Sequence, residues 1–205
     1  ITGTIYFWEH SSANNTHNLA SYQGGYAAYT KTGGTPPVAP AGINGLGGNT
    51  KTAKRFIPVG QSFFVVGSAI GGNIVFNNTQ RLFVKEDDVA SVQLFKNTGN
   101  SKTNAKDVEK NSNDSYRTDT FSKVRLGFNS NNYHRQILLG FMNENATNGI
   151  DPGYDALHID NQPSDMCFIN NNTKLTIQGV GFYNEHNKYQ LEIKTASEGN
   201  VQFVV

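Results

Sequence analysis

A succession of about a dozen short apolar runs, each of strand length, constrains this chain more than any other feature. They are TIYFWEH (4–10), GGYAAYT (24–30), QSFFVVGSA (61–69), GNIVFNN (72–78), RLFVKE (81–86) and SVQLFK (91–96), then KVRLGFN (123–129), RQILLGFM (135–142), MCFIN (166–170), KLTIQGVGFY (174–183), YQLEIKT (189–195) and NVQFVV (200–205). Most are rich in β-branched and aromatic residues, and nearly all are bounded by Gly, Asn, Asp, Ser or Pro, the residues that break strands and make turns. No window keeps apolar residues at i, i+3, i+4 and i+7 for three turns. The expectation is an all-β fold, an antiparallel, jelly-roll-like β-sandwich with nearly no helix.

Two segments interrupt the strand pattern. Residues 30–54 are dense in Gly and Pro, and residues 97–120 are polar and charged. Both read as surface loops, because their unpaired main-chain groups need water. The second divides an N-terminal β half (1–96) from a C-terminal one (121–205), and the expectation is one continuous β unit. A chain of 205 residues can bury about 70% of the surface its unfolded form exposes, so no covalent staple is required.

Charge excludes one class of partner. Seventeen basic residues stand against sixteen acidic ones, with no basic stripe, which argues against nucleic acid. No apolar run reaches the roughly 18 residues of a membrane helix, so membrane insertion is not expected, and residues 1–10 do not read as a signal peptide. The single cysteine, Cys167, sits in the alternating run DMCFI and reads as a small buried hydrophobe.

The acidic stretch NENATNGIDPGYDALHID (143–160) is the richest in chemistry. Asp151, Asp155, Asp160, Asn145 and Asn148 supply the oxygens a structural calcium takes, with Asp151, Asp155 and Asn148 the foremost ligand candidates. The spacing is not that of a calcium-binding loop with a bidentate acid at its twelfth position. The competing reading is turn chemistry, with Asn148-Gly149 and Pro152-Gly153 making turns and Asp155 bracketing one.

Catalytic patterns are not evident. His10, His17, His134, His158 and His186 are dispersed, with no HExxH, and no GxSxG elbow occurs. Glu9, Glu86, Asp87, Asp88, Glu144 and Asp151 are carboxylates whose convergence a glycosidase would require, and sequence does not show which of them meet. The glycine pairs open onto no helix that would make a phosphate cradle. No catalytic residue is assigned and no enzyme activity is expected.

Trp8 is the only tryptophan. In TIYFWEH, Tyr6 and Trp8 share one face of a strand while Ile5 and Phe7 share the other. Trp8, Tyr6 and Tyr26 are therefore candidates for a carbohydrate-binding platform, against the alternative that they pack between sheets.

The ordered motifs YFWEH, GGYAAY, IPVGQSFFV, the FNN-x-QR run and ATNGIDPGYDA together resemble the region that precedes the C-terminal sorting domain in large surface proteins of Flavobacterium-type Bacteroidota. The resemblance spans nearly the whole chain. A GNPYPSA-like motif that comes earlier in such proteins is absent, so residue 1 is expected to fall inside the module. The resemblance implies export by the type IX secretion system, with its machinery as a partner, and an extracellular or outer-membrane cell-surface location. It also implies a non-catalytic role as adhesin segment, stalk or pre-sorting scaffold, and makes ATNGIDPGYDA a recurrent landmark of the module. The alternative function is a carbohydrate-binding module that engages surface glycans or polysaccharide. A hydrolase or lyase is a third reading.

Overall fold

The computed structural model describes residues 1–10, 18, 24–40, 51–83, 120–130 and 133–205. The chain is all-β, and among these residues the only helical pieces are single 3-10 turns at Asn78–Gln80 and Asn143–Asn145.

A three-stranded antiparallel sheet is made by β1 (Ile5–His10), β2 (Gly24–Thr30) and β3 (Gly33–Thr35), in that order. A larger sheet gathers β4 (Ala39–Pro40), β5 (Lys123–Asn129), β6 (Tyr133–Phe141), β7 (Ala156–Leu157), β8 (Asp165–Asn170), β9 (Thr173–Val180), β10 (Gln190–Lys194) and β11 (Gln202–Val204). Its main path runs β10-β8-β9-β6-β5-β11, with β4 added to β6 and β7 to β9.

The sheet is mixed, not purely antiparallel as expected, because β6 pairs with β9 in parallel. The β8–β9 hairpin lays β9 alongside β6 in the same direction. Asn171 and Asn172 close that hairpin with φ of 47° and 62°, the two left-handed residues a tight primed turn needs.

Three apolar clusters hold the layers. Tyr6 and Ala28 from the small sheet meet Leu138, Ala156 and Ile177 from the large one, and this is the interface between sheets. The opposite face of the small sheet, Phe7 and Ala27, is covered by Ala53, Ile57 and Phe63. Both faces of β1 are thus buried. The third cluster joins Phe128, Ile137, Leu139, Phe141, Met166, Phe168, Leu175 and Val180, with Leu126 and Leu191 against it. Side chains from β5 and β10 reach the same cluster although three strands separate them, so the large sheet curls around it.

One irregularity aims the core. The β7–β9 register pairs Ala156 with Ile177 but Leu157 with Leu175, so one extra residue of β9, Thr176, is bulged. Regular alternation would put Leu175 and Ile177 on one face. Instead Leu175 enters the curled cluster and Ile177 the inter-sheet one.

Two expected strands, 61–69 and 72–78, did not form within the described residues, and of the 81–86 run only 81–83 are described. Residues 61–83 pair with a sheet only through the isolated bridge between Tyr6 and Phe64, and residues 69–83 are all exposed. Gly67, Gly71 and Gly72 interrupt this stretch, and apolar alternation makes a strand only where a neighbouring strand accepts it. The 91–96 run and nearly all of the 97–120 loop lie outside the described residues. Conversely, β3 and β4 lie inside the segment read as loop, and β4 ties the N-terminal half to β6. The described pairings establish a sandwich-like pair of sheets, and the finer jelly-roll order is not among them.

Candidate functional site

Residues 146–160, within the stretch 143–160 singled out from sequence, lie where the two sheets meet. Main-chain bonds start the joint: Gly153 N–H donates to Thr2 O and Lys31 N–H to Gly153 O, both at 2.8 Å. Hydroxyls of the small sheet and its flanks then donate to carbonyls of this segment. Thr30 and Thr32 donate to Tyr154 O (3.1 and 2.7 Å), Thr4 to Asp155 O (2.8 Å), and Tyr6 Oη to Leu157 O (3.0 Å). Short β-branched hydroxyls suit this role, since each satisfies a buried carbonyl without adding charge.

Close approach is secured by glycine. A Cβ on Gly3 would lie 2.5 Å from the Gly153 main chain. Gly140 and Gly179 are register partners on β6 and β9, and together they leave a hollow into which Thr32 and Tyr154 settle. A Cβ on Gly140 would lie 2.4 Å from Thr32 Cγ2, and one on Gly179 would lie 2.6 Å from Thr32 Oγ1.

Asp155 is buried at the centre of this clasp. Oδ1 accepts Gly179 N–H at 2.9 Å and Oδ2 accepts Asp151 N–H at 2.5 Å. Burial pushes its carboxyl up to about 6, and those two N–H donors offset only part of the rise. Asp151 Oδ2 accepts the N–H and hydroxyl of Thr147 at 2.6 and 2.9 Å, and the Asn148 carbonyl accepts from Asn170 Nδ2 at 3.0 Å. The three candidate calcium ligands are therefore engaged as turn and joint anchors. Among the described residues no group of three or more His, Cys, Asp and Glu side chains converges as a metal site.

A second polar array lies beside the clasp and was not assigned from sequence. Arg135 on β6 is fully buried. Its Nε donates to Asp165 Oδ1 at 2.8 Å, and Nη2 donates to Asp165 Oδ2 at 3.2 Å, Asp160 Oδ1 at 3.1 Å and Asp160 O at 2.8 Å. Asp160 Oδ2 also accepts Tyr26 N–H at 3.2 Å, which carries the network into β2. Burial alone would raise the Asp165 carboxyl. Hydrogen bonds from His158 and Arg135, and the Arg135 charge, outweigh it and hold the group well below the usual carboxylate range. Among the described residues the guanidinium Nη1 has no hydrogen-bond partner.

His158 joins this array to the bulge. Its Nε2 lies 3.0 Å from Asp165 Oδ2 and its Nδ1 3.0 Å from Thr176 Oγ1. An acid, an imidazole and a hydroxyl in line is the arrangement of nucleophilic catalysis. Here Thr176 is only 4% exposed and sits inside the sheet, so the line presents no hydroxyl to a substrate. What the array does chemically is pair one buried guanidinium with two aspartates and fix the bulge.

The remaining candidates do not converge. Tyr6 is buried with its hydroxyl engaged, which removes it from any exposed platform. Trp8 and Tyr26 are half-buried register partners with ring centroids 5.1 Å apart, edge to face. Tyr26 makes a second edge-to-face contact with Phe64 at 5.6 Å, and Phe64 is 54% exposed. Glu9 is half-buried and accepts Lys51 N–H at 3.1 Å, while Glu144 is exposed. Glu86, Asp87, Asp88 and His17 lie outside the described residues. Cys167 is buried, and that burial pushes its thiol up to about 11. Arg135 and Asp165 carried one sequence signal: charges placed at the starts of strongly apolar strands.

Fold and site together define an all-β domain of two facing sheets joined by a polar clasp. The chain belongs to a family described as a domain of unknown function, DUF8693, whose model matches residues 1–205. No curated protein and no solved structure matches it.

Proposed function

We propose that this domain is a non-catalytic β module of a secreted or cell-surface protein exported by the type IX system, serving as adhesin segment, stalk or pre-sorting scaffold. One observation carries the non-catalytic part: the groups best suited to chemistry are spent on the fold. Asp151, Asp155, Asp165 and His158 all bond within the joint between sheets or the bulge beside it. A module that passes through an export channel and then bears load outside the cell gains from such internal polar ties. The route and location rest on the ordered motifs, of which ATNGIDPGYDA is the clasp itself.

The test is to place the domain ahead of a type IX sorting domain in a bacterium with that system and follow it by surface proteolysis. The expected result is a folded, protease-resistant domain at the surface that is lost in a secretion-deficient strain. Intracellular retention in both strains would overturn the reading.

The row of Trp8, Tyr26 and Phe64 favours a second reading, glycan binding, because aromatic edges at the rim of a sheet can stack on sugar rings. Polysaccharide retention lost in both Trp8→Ala and Phe64→Ala, with melting unchanged, would establish it. Retention that survives both would remove it.

A further inference from the structure

We propose that Asn148-Gly149 is a self-modification site, at which the Gly149 amide nitrogen attacks the Asn148 carboxamide with the help of a proton relay through Thr147 to Asp151. Gly149 N–H donates to Thr147 Oγ1 at 3.0 Å, and the Thr147 hydroxyl donates to Asp151 Oδ2 at 2.9 Å. An amide, a hydroxyl and a carboxylate therefore stand in series. The nitrogen at the head of the line belongs to the residue that follows an asparagine. Its proton is lost more readily there, because the hydroxyl that receives it passes its own proton to the carboxylate.

The group under attack is open to water. Asn148 is exposed, and its contact with Asn170 is made by the main-chain carbonyl, which accepts from Asn170 Nδ2 at 3.0 Å, leaving the carboxamide out of that bond. Asn170 Nδ2 also donates to Gly149 O at 2.9 Å, so one amide fixes the carbonyls on both sides of the attacking nitrogen. Holding reacting groups in one arrangement removes part of the entropic cost of their meeting. Glycine suits position 149, since a Cβ there would lie 3.2 Å from Thr147 Oγ1 and crowd the relay.

The step balances with water as the one co-reactant. Gly149 N bonds to Asn148 Cγ, the Cγ–Nδ2 bond breaks, and Nδ2 leaves as ammonia with the relayed proton. Water then opens the cyclic succinimide to aspartate or isoaspartate at position 148, and nothing is oxidised or reduced. Each chain reacts once, which is compatible with a non-catalytic module. Isoaspartate routes the main chain through Cβ, which draws the Asn148 and Gly149 carbonyls away from Asn170 and loosens the turn that leads into the clasp.

The experiment is peptide mapping by mass spectrometry of the folded 205-residue chain during incubation near neutral pH, with rates taken relative to Asn44-Gly45, the other Asn-Gly pair in the sequence. Conversion of Asn148 to aspartate and isoaspartate is expected. Thr147→Val removes the relay hydroxyl and Asp151→Asn its acceptor, and each should slow conversion by about tenfold or more, within what a positioned proton acceptor contributes. Thr147→Ser keeps the hydroxyl and should keep the wild-type rate. In urea, where the relay is dissolved, wild type and Thr147→Val should convert alike. Melting of each variant is read alongside, and Asp151→Asn carries the test if Thr147→Val unfolds. The proposal is overturned by no conversion at Asn148 in the folded wild type, or by wild-type rates in the folded relay variants. It is equally overturned if Thr147→Ser is as slow as Thr147→Val, or if the difference persists in urea.

Discussion

The carboxylate of Asp155 accepts the main-chain N–H of Gly179 at 2.9 Å, which ties the 151–158 segment to the middle of the large sheet. Thr4, flanking the small sheet just before β1, reaches the Asp155 carbonyl at 2.8 Å, so one residue spans the joint. The physical consequences of that arrangement can be measured.

Stability should depend on pH in two opposed ways. Asp155 has its folded value raised to about 6 from 3.8, so its contribution is fully present below about 3.8 and is lost as pH rises through about 6. Asp165 is depressed, so its contribution is present above about 3.8 and is lost as pH falls towards its folded value. Chemical denaturation between pH 8 and pH 2 should show stability rising on acidification to near pH 4 and falling beyond it. The Asp155 limb amounts to roughly 3 kcal/mol at most. Asp155→Asn should remove that limb and cost about 1–3 kcal/mol, since an amide offers one acceptor where two N–H groups need acceptors.

Arg135→Met should destabilise by about 3–5 kcal/mol, because it strands the buried carboxylate of Asp165 and uncovers Asp160. Replacing Asp165 with Asn in the same background should recover part of the loss. Strict additivity of the two changes in urea denaturation would contradict the network.

Gly140→Ala should cost about 1–3 kcal/mol through the clash with Thr32 Cγ2. Thr32→Ser removes that methyl and keeps the hydroxyl, so it should rescue Gly140→Ala. It should not rescue Gly179→Ala, whose clash is with Thr32 Oγ1. Equal rescue of both would mean that the hollow is shaped otherwise.

Calcium should leave the melting temperature unchanged from EGTA to millimolar calcium, because the Asp151 and Asp155 oxygens already accept N–H and hydroxyl donors. A ligand held only by the native state would raise it by mass action. A rise of several degrees, lost in Asp151→Ala, would return this stretch to the role of an ion site.

What was legible in the sequence follows from what each residue touches. The spans of β2 and β5 were readable to the residue, since Gly or Asn punctuates each run and the apolar pattern meets a real partner strand. Residues 72–78 carry a similar pattern, yet no sheet within the described residues takes them up, and strand pairing is a tertiary fact. The bulge at Thr176 was invisible because it arises from register against β7, not from local composition. The turn reading of Asp155 anticipated its environment in kind. Its reach to Gly179 depends on a parallel crossover that local spacing does not encode.

Native-state hydrogen exchange at the amides of Lys31, Gly153 and Gly179 tests the central claim, that residues 146–158 are the clasp that closes the two sheets, most directly. The prediction is that these amides exchange only through global opening, with the same free energy as the amides of Leu138 and Ile177. Exchange at the rate of an open surface loop, while Leu138 and Ile177 remain protected, would contradict it.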